Sequence, residues 1–256
     1  MKNLTKTRER LFREDIKDNP FLFYRHIAAY NFSTRYVEKK VVLDLGCSDG
    51  YGSLLIAKLS KKTIALDKDR DAINKAKKNT LDNLMFVVGD AANLKWTNTF
   101  DIIISFQVIE HMKDVDGYLR QIKKALVKNG MAIISTTNRA LRLDEGEKPW
   151  NPYHITEYGK QDLHALLLKY FSNVTLFGLT ASPDIYNLEI KRLHFRKILA
   201  QLDKFNLYKY LPRQVSDLFP RIFKRKKQNK IISLDDFWVN TINVEKSLDL
   251  IAVCIK

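Results

Sequence analysis

The stretch that most narrows what this chain can fold into is Asp44-Leu45-Gly46-Cys47-Ser48-Asp49-Gly50-Tyr51-Gly52. It is preceded by the apolar run Val41-Val42-Leu43 and followed by the apolar-rich segment Ser53 to Leu59. A short continuous apolar run ending in glycines reads as a strand buried on both faces, and the segment after it as a helix. Glycine in the connecting turn permits backbone angles closed to other residues and lets main chain approach a ligand with no Cβ between. A strand, a glycine turn and a helix in that order make the first half of a βαβ unit.

The unit recurs downstream. Thr63–Asp67, Met85–Val88, Phe100–Phe106 and Met131–Ser135 read as further strands, with helices over Asp71–Asn79 and Val115–Leu126 between them. Lys128-Asn129-Gly130 supplies a helix stop. The alternation predicts an α/β fold with a mostly parallel sheet and helices on both faces. Three acids, Asp44, Asp67 and Asp90, stand at the ends of the first three strands, each 23 residues after the last. Right-handed crossovers bring those ends to one sheet edge, where ligands of such sheets bind. Beyond Ser135 the pattern predicts a loop through Trp150–His154, a helix over Lys160–Tyr170, and a strand over Val174–Phe177. Helical, basic sequence then fills 184–234, and Leu248–Ile255 closes the sheet. The implied organisation is an N-terminal helical cap (1–40), an α/β core (41–183), a basic helical insertion (184–234) and a C-terminal strand region (235–256).

Two ligand classes use such a turn. The dinucleotide fingerprint is G-x-G-x-x-G. Here the glycines are Gly46, Gly50 and Gly52, and Ser48 stands where the second would fall. A pyrophosphate needs that close approach and would be repelled by Asp44. S-adenosylmethionine (SAM) has no phosphate, and its ammonium suits an acid. Asp67 can accept both ribose hydroxyls in either class, and Asp90 is placed to accept from an adenine amino group. Each acid alone could equally be a helix cap.

The chain resembles the class I SAM-dependent methyltransferases, most closely the ubiquinone-biosynthesis O-methyltransferase-like (type 11) branch and related bacterial enzymes of sugar and polysaccharide pathways. The resemblance is carried by Tyr24–Ala28, Val42–Ser53, Gly89–Ala91, Ser105-Phe106-Gln107-Val108-Ile109-Glu110-His111, Ser135–Arg139 and Asn151–Tyr158. It implies a Rossmann-like seven-stranded sheet with the last strand antiparallel, plus the helical insertion, and SAM as cofactor. It puts the turn residues Asp44, Gly46, Cys47, Ser48 and Gly50 beside the methionine part of SAM. Asp67 and Lys68 then face the ribose, Asp90 and Ala91 the adenine, and Gln107 meets the ligand through its backbone. Arg25 closes over the cofactor from the N-terminal helix. Ser48 departs from the glycine common at that position.

Methyl transfer needs alignment more than chemistry from the protein, because the cofactor carries the reactive methyl. A hydroxyl acceptor is helped by a base, and histidine is matched to neutral pH. His154, in a loop with Trp150, Tyr153 and Tyr158, is one candidate base, or else a loop anchor. His111, after Glu110, is a second candidate, or a cap of the site floor. His26, His164 and His194 have no supporting constellation. Glu145, Glu147 and His154 are too scattered to argue a metal site.

The net charge of +15 is unevenly spread: residues 1–40 carry +5, residues 184–234 carry +9, and the rest is nearly neutral. Such add-ons suit an anionic partner, whether a phosphate-bearing substrate, a membrane surface or nucleic acid, and suit a solubilising face as well. Phe219–Lys227 is basic and aromatic and fits a membrane surface; no RNA-binding motif accompanies it, so nucleic acid ranks behind. Two cysteines far apart, Cys47 and Cys254, argue against a disulfide framework and for a reducing cytoplasm. No signal segment is visible. The reading is therefore a cytoplasmic enzyme, peripheral to the membrane if at all, that methylates an oxygen on a small molecule, a glycan or a lipid-linked intermediate. RNA or protein methylation, or SAM binding by a non-catalytic regulator, are the alternatives.

Overall fold

A computed structural model describes residues 19–79, 81–144, 146–202 and 231–256. The basic segment 219–227, most of the predicted insertion beyond residue 202, and residues 1–18 lie outside the described residues.

Helix α1 (Pro20–Val37) starts at Asn19, whose side chain accepts the Leu22 N–H, with Pro20 in the first turn where its missing donor costs nothing. Then β1 (Val41–Leu45), α2 (Tyr51–Ala57), β2 (Lys62–Asp67), α3 (Arg70–Ala76) and β3 (Leu84–Val88) follow. They are succeeded by β4 (Phe100–Phe106), α4 (Val115–Ala125), β5 (Leu126–Thr137), α5 (Lys160–Leu168) and β6 (Asn173–Ala181). Helix α6 (Pro183–Leu202), β7 (Phe237–Asn240) and β8 (Asp249–Ile255) complete the described chain.

The strands form one sheet in the order β3-β2-β1-β4-β5-β8-β6-β7. The pairs β3–β2, β2–β1, β1–β4 and β4–β5 are parallel, whereas β8 runs antiparallel between β5 and β6. This is the expected Rossmann-like sheet with its last strand reversed. It carries one strand more than the expected seven, because Phe237–Asn240 pairs along the outer edge of β6. Two further boundaries moved. Helix α4 ends at Ala125, ahead of the expected stop at Lys128–Gly130, and those residues belong to β5, whose register against β4 shifts between Phe100 and Ile102. Helix α3 begins at Arg70, one residue before Asp71, where Asp69 caps it by accepting from the Asp71 and Ala72 N–H groups, and it ends at Ala76, three residues short of Asn79.

Alternate strand residues feed opposite faces. Leu43, Leu45, Ile103, Ala132 and Ile134 pack with α4 and α5 through Tyr118, Leu119, Ile122, Leu163 and Leu167. Val42, Ile102, Ile104 and Ile133 pack with α1, α2 and α6 through Phe32, Ile56 and Ile185. Both faces are covered, which is why the strands read as unbroken apolar runs. Cys47 and Cys254 are buried thiols. Among the described residues no helix is long and apolar enough to cross a membrane.

Candidate active site

The carboxyl ends of β1, β2, β4 and β5, the inner side of α1, the loop through residues 142–154 and α6 enclose a cleft of about 460 Å³. Its floor is the glycine turn. Gly46 and Gly50 hold φ of +78° and +80°, and a Cβ on Gly46 would lie 2.5 Å from Val108 Cγ2. Ser48 adopts φ +51°, so the serine keeps the left-handed conformation that a glycine would take freely. The turn is tied to β2: the Gly46 and Cys47 N–H groups donate to Leu66 O at 2.8 and 3.1 Å.

Gly46, Cys47, Ser48, Asp67, Lys68, Asp90, Ala91, Gln107 and Arg25 line this cleft, together with His111 and His154. Asp67 accepts the N–H groups of Ser48 (3.0 Å) and Asp69 (2.9 Å), which fixes its carboxylate at the end of β2. Asp90 caps the next turn through Ala92 N–H. Gln107 has φ +54° and donates its N–H to Ser135 O at 3.0 Å, holding its backbone at the mouth of β4.

Asp44 and Gly50 do not line the cleft. Gly50 starts α2 from beneath the turn, against the Phe86 ring. Asp44 is fully buried, accepts Ser53 Oγ at 2.6 Å and the Tyr30 hydroxyl at 3.2 Å, and so meets the cleft only through Tyr30. Burial pushes the Asp44 carboxyl up to about 7, opposed by those two hydrogen bonds and aided by nearby Asp67. A carboxyl raised above its unfolded value binds its proton more tightly in the folded state. Its contribution to stability therefore declines as pH climbs from about 4 to about 7 and is level above that. Melting curves of the wild type and Asp44→Asn across that window should show the wild type losing ground to the variant as pH rises. A constant gap between the two would contradict the assignment.

Arg25 is at the cleft wall, buried, and committed to Asp249 of β8 through Nε (2.6 Å) and a second contact from Nη2. Its neighbour His26 shares a hydrogen bond with the Tyr51 hydroxyl at 3.0 Å, and burial holds the imidazole down at about 4, so it is neutral at physiological pH.

The opposite side of the cleft is organised around His154. Its Nδ1 lies 2.6 Å from Glu157 Oε1, and Glu157 Oε2 accepts Arg142 Nε at 2.8 Å. Although burial pushes Glu157 up, the hydrogen bonds from His154 and Arg142 outweigh it and hold the carboxylate below its ordinary range. An ionised carboxylate can only accept, so Nδ1 of His154 carries the proton and Nε2 is the basic nitrogen. His111 is arranged alike: its Nδ1 donates to Tyr153 O at 2.8 Å, and its ring meets that of His154 edge-on at 5.0 Å. Beneath them Glu110 is fully buried, and burial raises its carboxyl against the pull of both imidazoles. Its carbonyl accepts Ile155 N–H at 2.8 Å, pinning the loop to the exit of β4. Glu110, His111 and His154 bring one donor atom each within 4.8 Å of one another, close enough to share a proton or hold a cation. The sequence argues no metal site among Glu145, Glu147 and His154, and residue 145 lies outside the described residues.

Sequence reasoning missed Tyr30, Arg142, Glu189, Arg192 and Arg196 at this cleft. Only the i, i+3 spacing of His154 and Glu157 offered a local signal.

Comparison with known proteins agrees with this geometry. A family model described as a methyltransferase domain matches residues 37–238. A Mycobacterium tuberculosis protein named "Probable S-adenosylmethionine-dependent methyltransferase" is 29% identical over 73% of this chain and 69% of its own. The ubiquinone biosynthesis O-methyltransferase of Rickettsia akari is 29% identical over 68% of each chain. A solved Thermotoga maritima structure, described as a SAM-dependent methyltransferase and possible histamine N-methyltransferase, superposes with a TM-score of 0.60 over 95% of this chain and 96% of that one. At 13% identity the likeness is one of fold.

Proposed function

The chain belongs to the methyltransferase-domain family and is a SAM-dependent methyltransferase, and from that premise we propose that it methylates an oxygen on a small molecule or on a glycan or lipid-linked intermediate. The cleft residues fit the cofactor. The left-handed glycine turn leaves room for close main-chain approach, and Asp67 offers a carboxylate anchored by two N–H groups yet open to the cleft. When bound, SAM supplies a methyl group on a cationic sulfonium and departs as a neutral thioether.

The observation that carries the choice of oxygen is the Arg142–Glu157–His154 relay. A hydroxyl must lose a proton as it attacks, and an imidazole with Nδ1 fixed by a carboxylate presents Nε2 for that proton. Glu157 also stabilises the imidazolium that results. The acceptor oxygen thus forms its bond to the methyl carbon while its proton passes to His154. That a relative is named a ubiquinone biosynthesis O-methyltransferase supports the same choice. Incubating the enzyme with methyl-labelled SAM and a cell extract, followed by mass spectrometry, should yield an O-methylated product; a product labelled only on nitrogen or carbon overturns the oxygen assignment.

Asp67 provides a test of the cofactor half alone. Asp67→Ala removes charge-assisted hydrogen bonds to the ribose, each worth about 1.5–3 kcal/mol. Calorimetric titration should show SAM affinity reduced by roughly tenfold or more. Unchanged affinity would contradict its role.

A further inference from the structure

We propose that the α6 end of the cleft is a subsite for an anionic group, carboxylate or phosphate, carried by the methyl acceptor. The inference rests on the methyl-transfer reading above and adds a class of acceptor to it.

Three residues of α6, Glu189, Arg192 and Arg196, line the cleft. Their spacing of three and four places them along one face of the helix. Ile185 and Leu193, both buried, fix the helix against the body of the protein. Lys197 reaches from the same helix to Asp144, and lies 3.6 Å from Glu147, so α6 is also tied to the loop that follows β5. That loop carries Trp150, whose Nε1 donates to Arg142 O at 3.3 Å. Arg142 and Arg196 both face the Trp150 ring, at 4.3 and 5.8 Å from its centre. A continuous chain of contacts thus runs from Arg196 through Trp150, Arg142 and Glu157 to the candidate base His154.

Charge is divided across the cleft. Asp67 and Asp90 stand at the β2 and β3 side, where a cationic cofactor belongs. Among the described residues, Arg142, Arg192 and Arg196 line the α6 side of the cleft with the carboxylate Glu189, and Glu157 lies behind Arg142. Glu157 is spent on Arg142 and His154. Glu189 is buried, is 3.5 Å from Arg192 Nη1, and acts on Arg25 as well. Arg192 Nε is buried with no hydrogen-bond partner among the described residues. A buried donor without an acceptor is costly, and native structures seldom keep one unless something supplies the missing partner. A carboxylate or phosphate on the acceptor supplies it, with the fork geometry that guanidinium suits.

The test uses the full chain saturated with S-adenosylhomocysteine, the demethylated product of SAM. Fluorine NMR measures binding of 4-fluorobenzoate and of neutral 4-fluorobenzamide, with inorganic phosphate as competitor. The carboxylate should bind at least about tenfold more tightly than the amide, more weakly as salt is raised. The double variant Arg192→Gln/Arg196→Gln should lose that preference while holding S-adenosylhomocysteine within about twofold of wild type. Displacement by phosphate assigns a general anion subsite, and persistence of the benzoate signal a carboxylate-selective one. Equal binding of acid and amide, or a preference that survives in the double variant, overturns the proposal. Failure of S-adenosylhomocysteine itself to bind overturns the methyltransferase reading instead.

Discussion

His154→Ala is expected to slow methyl transfer by about 10²–10⁴-fold while leaving SAM affinity within about twofold. The size follows from the role: the variant removes the group that takes the acceptor's proton, and nothing it removes touches the cofactor end of the cleft. A loop-anchoring role would also lower the rate, through a displaced loop, so a second variant separates the two. His154→Gln keeps a side chain able to donate to Glu157 and has no basic nitrogen. If His154 is the base, glutamine is as slow as alanine although the loop is held. If it is an anchor, glutamine restores most of the rate. Single-turnover transfer of labelled methyl to the acceptor pool of an extract, read together with melting curves, distinguishes these outcomes. A loss below threefold in either variant would remove His154 from the chemical step.

The second large effect is expected at the turn. Gly46→Ala forces a residue with a Cβ into φ +78° and sets that carbon 2.5 Å from Val108 Cγ2. The left-handed conformation costs about 1–2 kcal/mol, and overpacking against a buried side chain about 1–3 kcal/mol more. The melting temperature should fall by about 4 °C or more, and SAM affinity by at least tenfold as the turn withdraws from the ligand. Ser48→Gly is the matching control. Ser48 already stands at φ +51°, so losing its Cβ relieves conformational strain and stability should hold or rise by about 1 kcal/mol. A Gly46→Ala protein that melts with the wild type and binds SAM normally would show that the turn yields easily and that its shape is not what selects the ligand.

Much of this protein was legible from local pattern because parallel strands covered on both faces must be apolar throughout. Val41–Leu45 and Phe100–Phe106 could be recognised without knowing their partners. Helix ends were less certain: α3 starts one residue before Asp71, where Asp69 caps it, and stops three residues short of Asn79. The strand Phe237–Asn240 escaped notice because four residues at a sheet edge, with Trp238 exposed, carry little periodicity.

The sequence by itself determined the strand–turn–helix units, the glycine turn and the acids that follow each of the first strands, because these depend on backbone angles and on spacing within a few residues. That was sufficient for the fold and the cofactor. Tertiary structure alone decided how those residues divide their work. Asp44 looks like its fellow acids in sequence, yet Tyr30 and Ser53 enclose it below the turn, while Asp67 stays open to the cleft. Arg25 is held by Asp249, 224 residues away, and Arg192 and Arg196 face the same cleft from a helix whose sequence shows only a basic surface. Such pairings bring together residues from distant parts of the chain, and a contact set by packing between elements leaves no periodic trace in either one.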